Sequence, residues 1–120
     1  MIVDSHSHAW SYWPYQPVVP DPESRGIVEQ LLWEMDRNHV QRAVIVCAGI
    51  DHNEDNNNYV FDAVRRFPDR LIQFADVDCS WSNNYHLAGG SDRLLEATKR
   101  YNLKGFTHYL KSDVEWFESK

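Results

Sequence analysis

The stretch RAVIVCAG, Arg42 to Gly49, sets six apolar residues in a row between a charge and a glycine. It shows no alternation of apolar and polar positions, so a strand formed here has both faces covered, as in a parallel sheet flanked by helices. The rest of the chain repeats that theme. MIVDSHSH predicts a short first strand, and AWSYWPYQPVVPDPES a long loop rich in Pro and aromatics. DPESRGIVEQLLWEMDRNHV predicts an amphipathic helix. Asp21 is its expected N-cap, Pro22 its first position, Glu23 sits near its positive end, and Ile27, Val28, Leu31, Leu32 and Met35 share one face.

After RAVIVCAG and the polar loop HNEDNNN, the segment NYVFDAVRRFPDR predicts a second helix ended by Pro68, and LIQFADVDC a third strand. Following SWSNNYHLAGG, Ser91 is expected to cap a third helix through Tyr101, with Leu94, Leu95 and Ala97 or Thr98 turned inward; LKGFTHYL is the fourth strand. Long loops follow strands and short ones follow helices. That asymmetry belongs to a βα barrel or an open α/β sheet whose working face lies at the carboxyl ends of its strands. The fold class expected is therefore α/β, with parallel βα repeats.

The last residues, SDVEWFESK, hold Ser112 and Glu115 in capping-box spacing and predict a helix that the sequence leaves within about two turns. Four parallel strands leave the first and fourth as open edges, which invite pairing. Residues 1–120 are thus expected to form one partial domain, cut off after its fourth strand. Its edges would be covered by more chain or by a second copy.

Composition narrows the partners. The 120 residues are 42% hydrophobic and 25% charged, enough for one core. A net charge of −6 without any basic run speaks against nucleic acid or an anionic membrane surface as partner. Cys47 and Cys79 are far apart in apolar segments and are expected as buried thiols rather than a bridge. No apolar run approaches the ~20 residues of a membrane helix, and the first residues carry Asp4 and His6 where a signal peptide would be basic and then apolar, so the cytoplasm is the expected location.

The chemistry concentrates in DSHSHAW, Asp4 to Trp10. Positions two apart on a strand share a face, so His6 and His8 offer two imidazoles side by side, with Asp4 on the same face. That is half of a metal site, since a catalytic zinc takes three protein ligands and keeps a position for water. His108, near the carboxyl end of the fourth strand, and Asp78, at the end of the third, are the reachable additions; hydrogen bonding at a strand end is the alternative role of His108. His39, at a helix end, fits the helix dipole better than a metal. His52 and His86 lie in polar loops and receive no role. Trp10, Tyr12, Trp13 and Tyr15 either wall a substrate pocket or cap a barrel mouth. Asn56 to Asn58 fit loop and helix-cap chemistry. Lys104 starts the fourth strand and belongs to the stability face rather than the site.

Four stretches together resemble the amidohydrolase superfamily, more narrowly its amidohydrolase-related group of metal-dependent hydrolases and aminocarboxymuconate-semialdehyde decarboxylase-like enzymes. IVDSHSHAW resembles that group's D-x-H-x-H first strand. LLWEMDRNHVQRAVIV is similar to its first helix and second strand, NNYVFDAVRRFPDRLIQFADVD to its second helix, P-D-R turn and third strand, and RLLEATKRYNLKGFTHY to its third helix and K-G-containing fourth strand. The resemblance spans essentially the whole sequence.

It implies the first half of a (β/α)8 barrel, with His6 and His8 as ligands of one divalent metal ion, zinc or manganese, and Trp10 and His108 near a small-molecule substrate. The group draws a further His from its fifth strand and an Asp proton shuttle from its eighth, positions beyond the four strands expected here. The implied activity is hydrolysis, with metal-activated water attacking an amide, ester or lactone carbonyl. Decarboxylation within the same group is the alternative, and a non-catalytic half-barrel that associates through its edges is a third reading. Paired histidines on a leading strand also open the polymerase-and-histidinol-phosphatase type of phosphoesterase, to which the following helix and strand are less similar.

Overall fold

The computed structural model describes residues 1–110, in which four strands alternate with three helices. They are β1 (Val3–Ser7), α1 (Val28–Arg37), β2 (Arg42–Val46), α2 (Asn56–Arg66), β3 (Leu71–Asp76), α3 (Gly90–Tyr101) and β4 (Gly105–Thr107). The expected helix carrying Ser112 and Glu115 lies outside the described residues. All pairings are parallel and the sheet order is β1-β2-β3-β4. Every crossover therefore steps the same way around the sheet. A doubly wound sheet reverses direction at a switch point, and a (β/α)8 barrel does not, so this order is that of a half barrel.

β2 forms where the sequence stacks β-branched residues, and Ala43 to Val46 are all buried, as an unalternating run requires. The core packs Ala43, Ile45 and Cys47 of the β2 segment and Leu71 of β3 against Val28 and Met35 of α1 and Val60 and Ala63 of α2. Both cysteines are buried and free, as expected; burial pushes each thiol up to about 12.

Three helix boundaries differ from expectation, and glycine causes two of them. Asp21 does not start α1. It closes a separate turn, accepting the Ser24 and Arg25 amides and pairing with the Arg25 guanidinium at 3.1 Å. Gly26 at φ +77° then breaks the chain's direction, and α1 begins two residues later at Val28 with Ile27 as N-cap. Ser91 does not cap α3 either. Gly89, at φ +88°, holds that position, and Gly90 approaches Asp78 so closely that a Cβ there would lie 3.3 Å from its carboxylate. α2 takes in Asn56 and Asn57 ahead of the expected start, with Asp55 at the N-cap position. α3 buries none of its residues, and Leu95, expected inward, is 57% exposed. Its neighbour β4 is three residues long and leaves Phe106 48% exposed, so the sheet offers α3 little to pack on. Among the described residues no helix is long and apolar enough to cross a membrane.

Candidate metal centre

β1 runs opposite β2 with Val3 facing Arg42 and Asp4 facing Ala43, then slips so that Ser7 faces Ile45. One extra residue is thus absorbed between Asp4 and Ser7, a bulge of the kind that re-aims side chains. Asp4 braces it. Its carboxylate accepts the Ser7 hydroxyl and the His6 amide (3.0 Å), and these bonds hold its carboxyl below the ordinary value. Asp4 is therefore occupied as a structural support under the histidines.

At the carboxyl end of this strand the two expected histidines meet, with Nε2 of His6 and Nε2 of His8 3.3 Å apart. The His8 ring is half-buried, and its Nδ1 stands 2.7 Å from the Val46 carbonyl at the end of β2. A carbonyl only accepts, so Nδ1 carries the proton and Nε2 of the neutral ring is left with its lone pair aimed at His6. Burial lowers the His8 pKa, which keeps that lone pair free near neutrality; the Val46 bond acts in the other direction. Two nitrogens bound tetrahedrally at 2.0–2.1 Å lie roughly 3.3 Å apart. The observed spacing fits, and the carbonyl anchor on the far nitrogen is the usual support for a metal-binding imidazole. Among the described residues no group of three His, Cys, Asp or Glu side chains assembles around one point.

The other candidates fall as follows. Asp78, expected as a reachable carboxylate, is taken by Arg93, whose Nε and Nη2 bond both its oxygens at 2.8 to 3.0 Å. His108 follows β4 and repeats the anchoring of His8: its Nδ1 lies 2.9 Å from the Val77 carbonyl, just past the end of β3. Trp10 is 2% exposed and stacks on His8, with centroids 5.2 Å apart and planes 17° apart. Tyr12, Trp13 and Tyr15 line a small cavity of about 150 Å³ together with His52. His39 follows α1, past its C-cap Asn38, in the left-handed region at φ 56°, and Lys104 is exposed just before β4, at the end of the sheet away from the histidine pair.

Sequence reasoning missed Asp76, Trp81 and Tyr109. Asp76, the last residue of β3, accepts the Gly49 amide at 2.8 Å and the Trp81 indole N–H at 2.5 Å. Trp81 meets the Tyr109 ring at 5.1 Å, and Tyr109 is near enough to Tyr15 to add to the upward pKa shift that burial gives it. Loops following β1, β3 and β4 thus bring aromatic rings together at the carboxyl end of the sheet. A larger cavity of about 510 Å³ opens beside this, between Asp76, Trp81, Arg93 and Tyr101; no histidine lines it.

No family model matches the chain, and no curated protein matches it. Among solved structures, the 4-oxalomesaconate hydratase LigJ from Rhodopseudomonas palustris is similar, with a TM-score of 0.59 at 18% sequence identity. The match covers 98% of this chain and 47% of that chain, so this chain spans about half the length of its structural relative. The likeness is one of fold and agrees with the half-barrel order of the strands.

Proposed function

We propose that this chain carries the first-strand part of a divalent-metal site, zinc by preference and manganese as the alternative, in a metal-dependent hydrolase acting on a small carbonyl substrate. The observation that carries the reading is the Nε2 to Nε2 distance of 3.3 Å between His6 and His8, with the far nitrogen of His8 fixed on Val46. A bound ion supplies Lewis acidity and brings the pKa of water toward ~7. The chain's own residues then do the following. His6 and His8 bind through Nε2, Asp4 holds the bulge that aims them, and the Val46 carbonyl keeps His8 in its binding tautomer. His108, held on Val77, lies at the same end of the sheet, a position for contacting substrate. Free, buried Cys47 and Cys79 suit a reducing compartment, which supports the cytoplasm.

The similar hydratase adds water to its substrate, and water activation is what such a pair of histidines serves. Hydrolysis is the reading adopted; decarboxylation is the alternative within the same chemistry. A non-catalytic module is favoured by one observation: among the described residues, β1 and β4 each pair with a strand on one side only. On either reading residues 1–120 act as one half-barrel unit, completed by further barrel strands or by a second copy.

The test is the metal content of the purified chain after zinc loading and desalting, beside a His6→Ala, His8→Ala double variant prepared identically. Retention approaching one equivalent by wild type and none by the variant is expected. Equal metal in both sinks the metal centre. A dimer indifferent to the double variant would then favour the module.

A further inference from the structure

A hydrogen bond fixes one atom of a ring but leaves the ring free to pivot about that bond. His8 is held on Val46 through Nδ1, and a tilt there would carry Nε2 away from His6 and turn the Nδ1–H out of line with the Val46 carbonyl, loosening the bond that selects the tautomer. Something must set the plane. The indole of Trp10 lies against the imidazole nearly parallel, 17° between planes, and is itself almost wholly buried.

The indole in turn has a fixed seat. The Trp10 amide donates to the Gly26 carbonyl at 2.9 Å, and the Tyr15 ring meets the indole edge-on at 5.7 Å. A Cβ at Gly26 would stand 3.2 Å from Trp10 Cδ1 and 3.4 Å from Trp13 Cε3, so the indole would have to yield by a few tenths of an ångström, and the glycine's φ of +77° strains any other residue. His6 has no such support. It is exposed, and its ring contacts His8 edge-on at 75°.

We infer that Trp10, seated on Gly26, is the positioning residue that sets the plane of the His8 ring, making His8 a preformed ligand to which the exposed His6 adapts. The consequence for metal binding rests on the reading given above, but the control of the ring does not. Trp10 acts through His8, so its loss is felt as a loosened imidazole and not as a lost substrate contact.

The experiment compares wild type, Trp10→Phe and Trp10→Leu by imidazole 15N shifts in the metal-free chain, and by zinc affinity in competition with a chromophoric chelator. Wild type and Trp10→Phe are expected to show His8 as a single tautomer protonated at Nδ1, and Trp10→Leu an average of the two tautomers. Zinc affinity is expected to fall about 10- to 100-fold in Trp10→Leu, as for loss of other outer supports, and to stay near wild type in Trp10→Phe. Should Trp10→Leu fail to fold, Gly26→Ala, which presses on the indole without removing it, takes its place; mixed tautomers and weaker zinc binding are again expected. A single Nδ1-protonated tautomer in Trp10→Leu, or in Gly26→Ala where that replaces it, overturns the inference. Tautomers that respond to Trp10 while zinc ignores His6 and His8 would leave it standing and remove the metal centre instead.

Discussion

The carboxamide of Asn57 pairs with both backbone groups of Asp76: Nδ2 donates to the Asp76 carbonyl at 2.9 Å, and the Asp76 amide donates to Oδ1 at 2.9 Å. Its neighbour Asn56 does the same across two other chain segments, accepting the Ala48 amide at 3.0 Å and donating to the Ala9 carbonyl at 2.9 Å. Two adjacent residues at the start of α2 thereby tie together the carboxyl ends of β1, β2 and β3, the end that carries the histidines.

Asn56→Ala is expected to cost about 3 kcal/mol, since it strands a buried amide and a buried carbonyl at about 1–3 kcal/mol each when unpaired. Asn57→Ala, in a less buried place, is expected to cost about half as much. Urea unfolding measures both. A cost below about 1 kcal/mol for Asn56→Ala would mean that water takes over its bonds.

These asparagines mark the limit of what the sequence discloses. The strands were legible because their apolar runs are local, and the His6–His8 pair because two residues on one strand need no tertiary knowledge. Asn56 to Asn58 carry the composition of a loop or cap, and only the placing of Ala9, Ala48 and Asp76 around the first two, and of Arg100 and Tyr101 around the third, shows that they work as crosslinks. Asp78 is free in sequence and bound in space because Arg93 is 15 residues away. The starts of α1 and α3 were set too early or on the wrong residue because the left-handed turns at Gly26 and Gly89 override side-chain capping preference. The bulge under His6 has no signature in composition at all.

Acid is expected to weaken the fold through His8 before it does so through Asp4. Burial keeps the folded pKa of His8 below the ordinary histidine value, so between those two pKa values the unfolded chain binds more protons and stability rises with pH. Lowering the pH from about 7.5 to about 5 should therefore lower Tm, and His8→Asn should flatten that slope. Asp4 contributes in the same direction further down: its lowered pKa gives stability present above the ordinary carboxylate value and lost as pH falls through its folded value. A Tm that rises on acidification in this window would show that His8 gains rather than loses proton affinity on folding.

Cys47 and Cys79, each pushed up to about 12, are expected to resist thiol reagents in the folded chain. The thiolate is the reactive form, and at pH 8 its share is lower than in a free thiol by about three orders of magnitude. Labelling should follow unfolding in urea. Rapid labelling of either cysteine in native buffer would show local opening of the β2 segment or of the loop after β3.

Arg93 should control the order of the loop between β3 and α3. Besides its two-pronged bond to Asp78 it donates to the Ala88 carbonyl at 2.8 Å and the Leu87 carbonyl at 2.9 Å, so one guanidinium closes the turn from both sides. Arg93→Ala is expected to make residues 79–89 the first site of limited proteolysis, while the rest of the chain remains folded by circular dichroism. Arg93→Lys should not restore protection, because an ammonium lacks the planar fork that reaches carboxylate and carbonyls together. Full protection in Arg93→Lys would reduce the role of Arg93 to charge alone.

Gly105 is expected to be indispensable for a reason that lies in β3. It sits opposite Phe74 in the parallel register, and a Cβ at Gly105 would stand 2.5 Å from Phe74 Cζ and 2.6 and 2.7 Å from the two Cε atoms. The ring lies flat over the bare backbone, so Gly105→Ala must push it aside, at about 1–3 kcal/mol. Phe74→Leu removes those outer ring atoms, and in that background Gly105→Ala should cost little. The coupling in the double-mutant cycle is then the measurable quantity, expected above about 1 kcal/mol for residues in contact. If Gly105→Ala costs the same with and without the Phe74 ring, close packing is not the reason for the glycine, and β4 is held to the sheet by its backbone bonds alone.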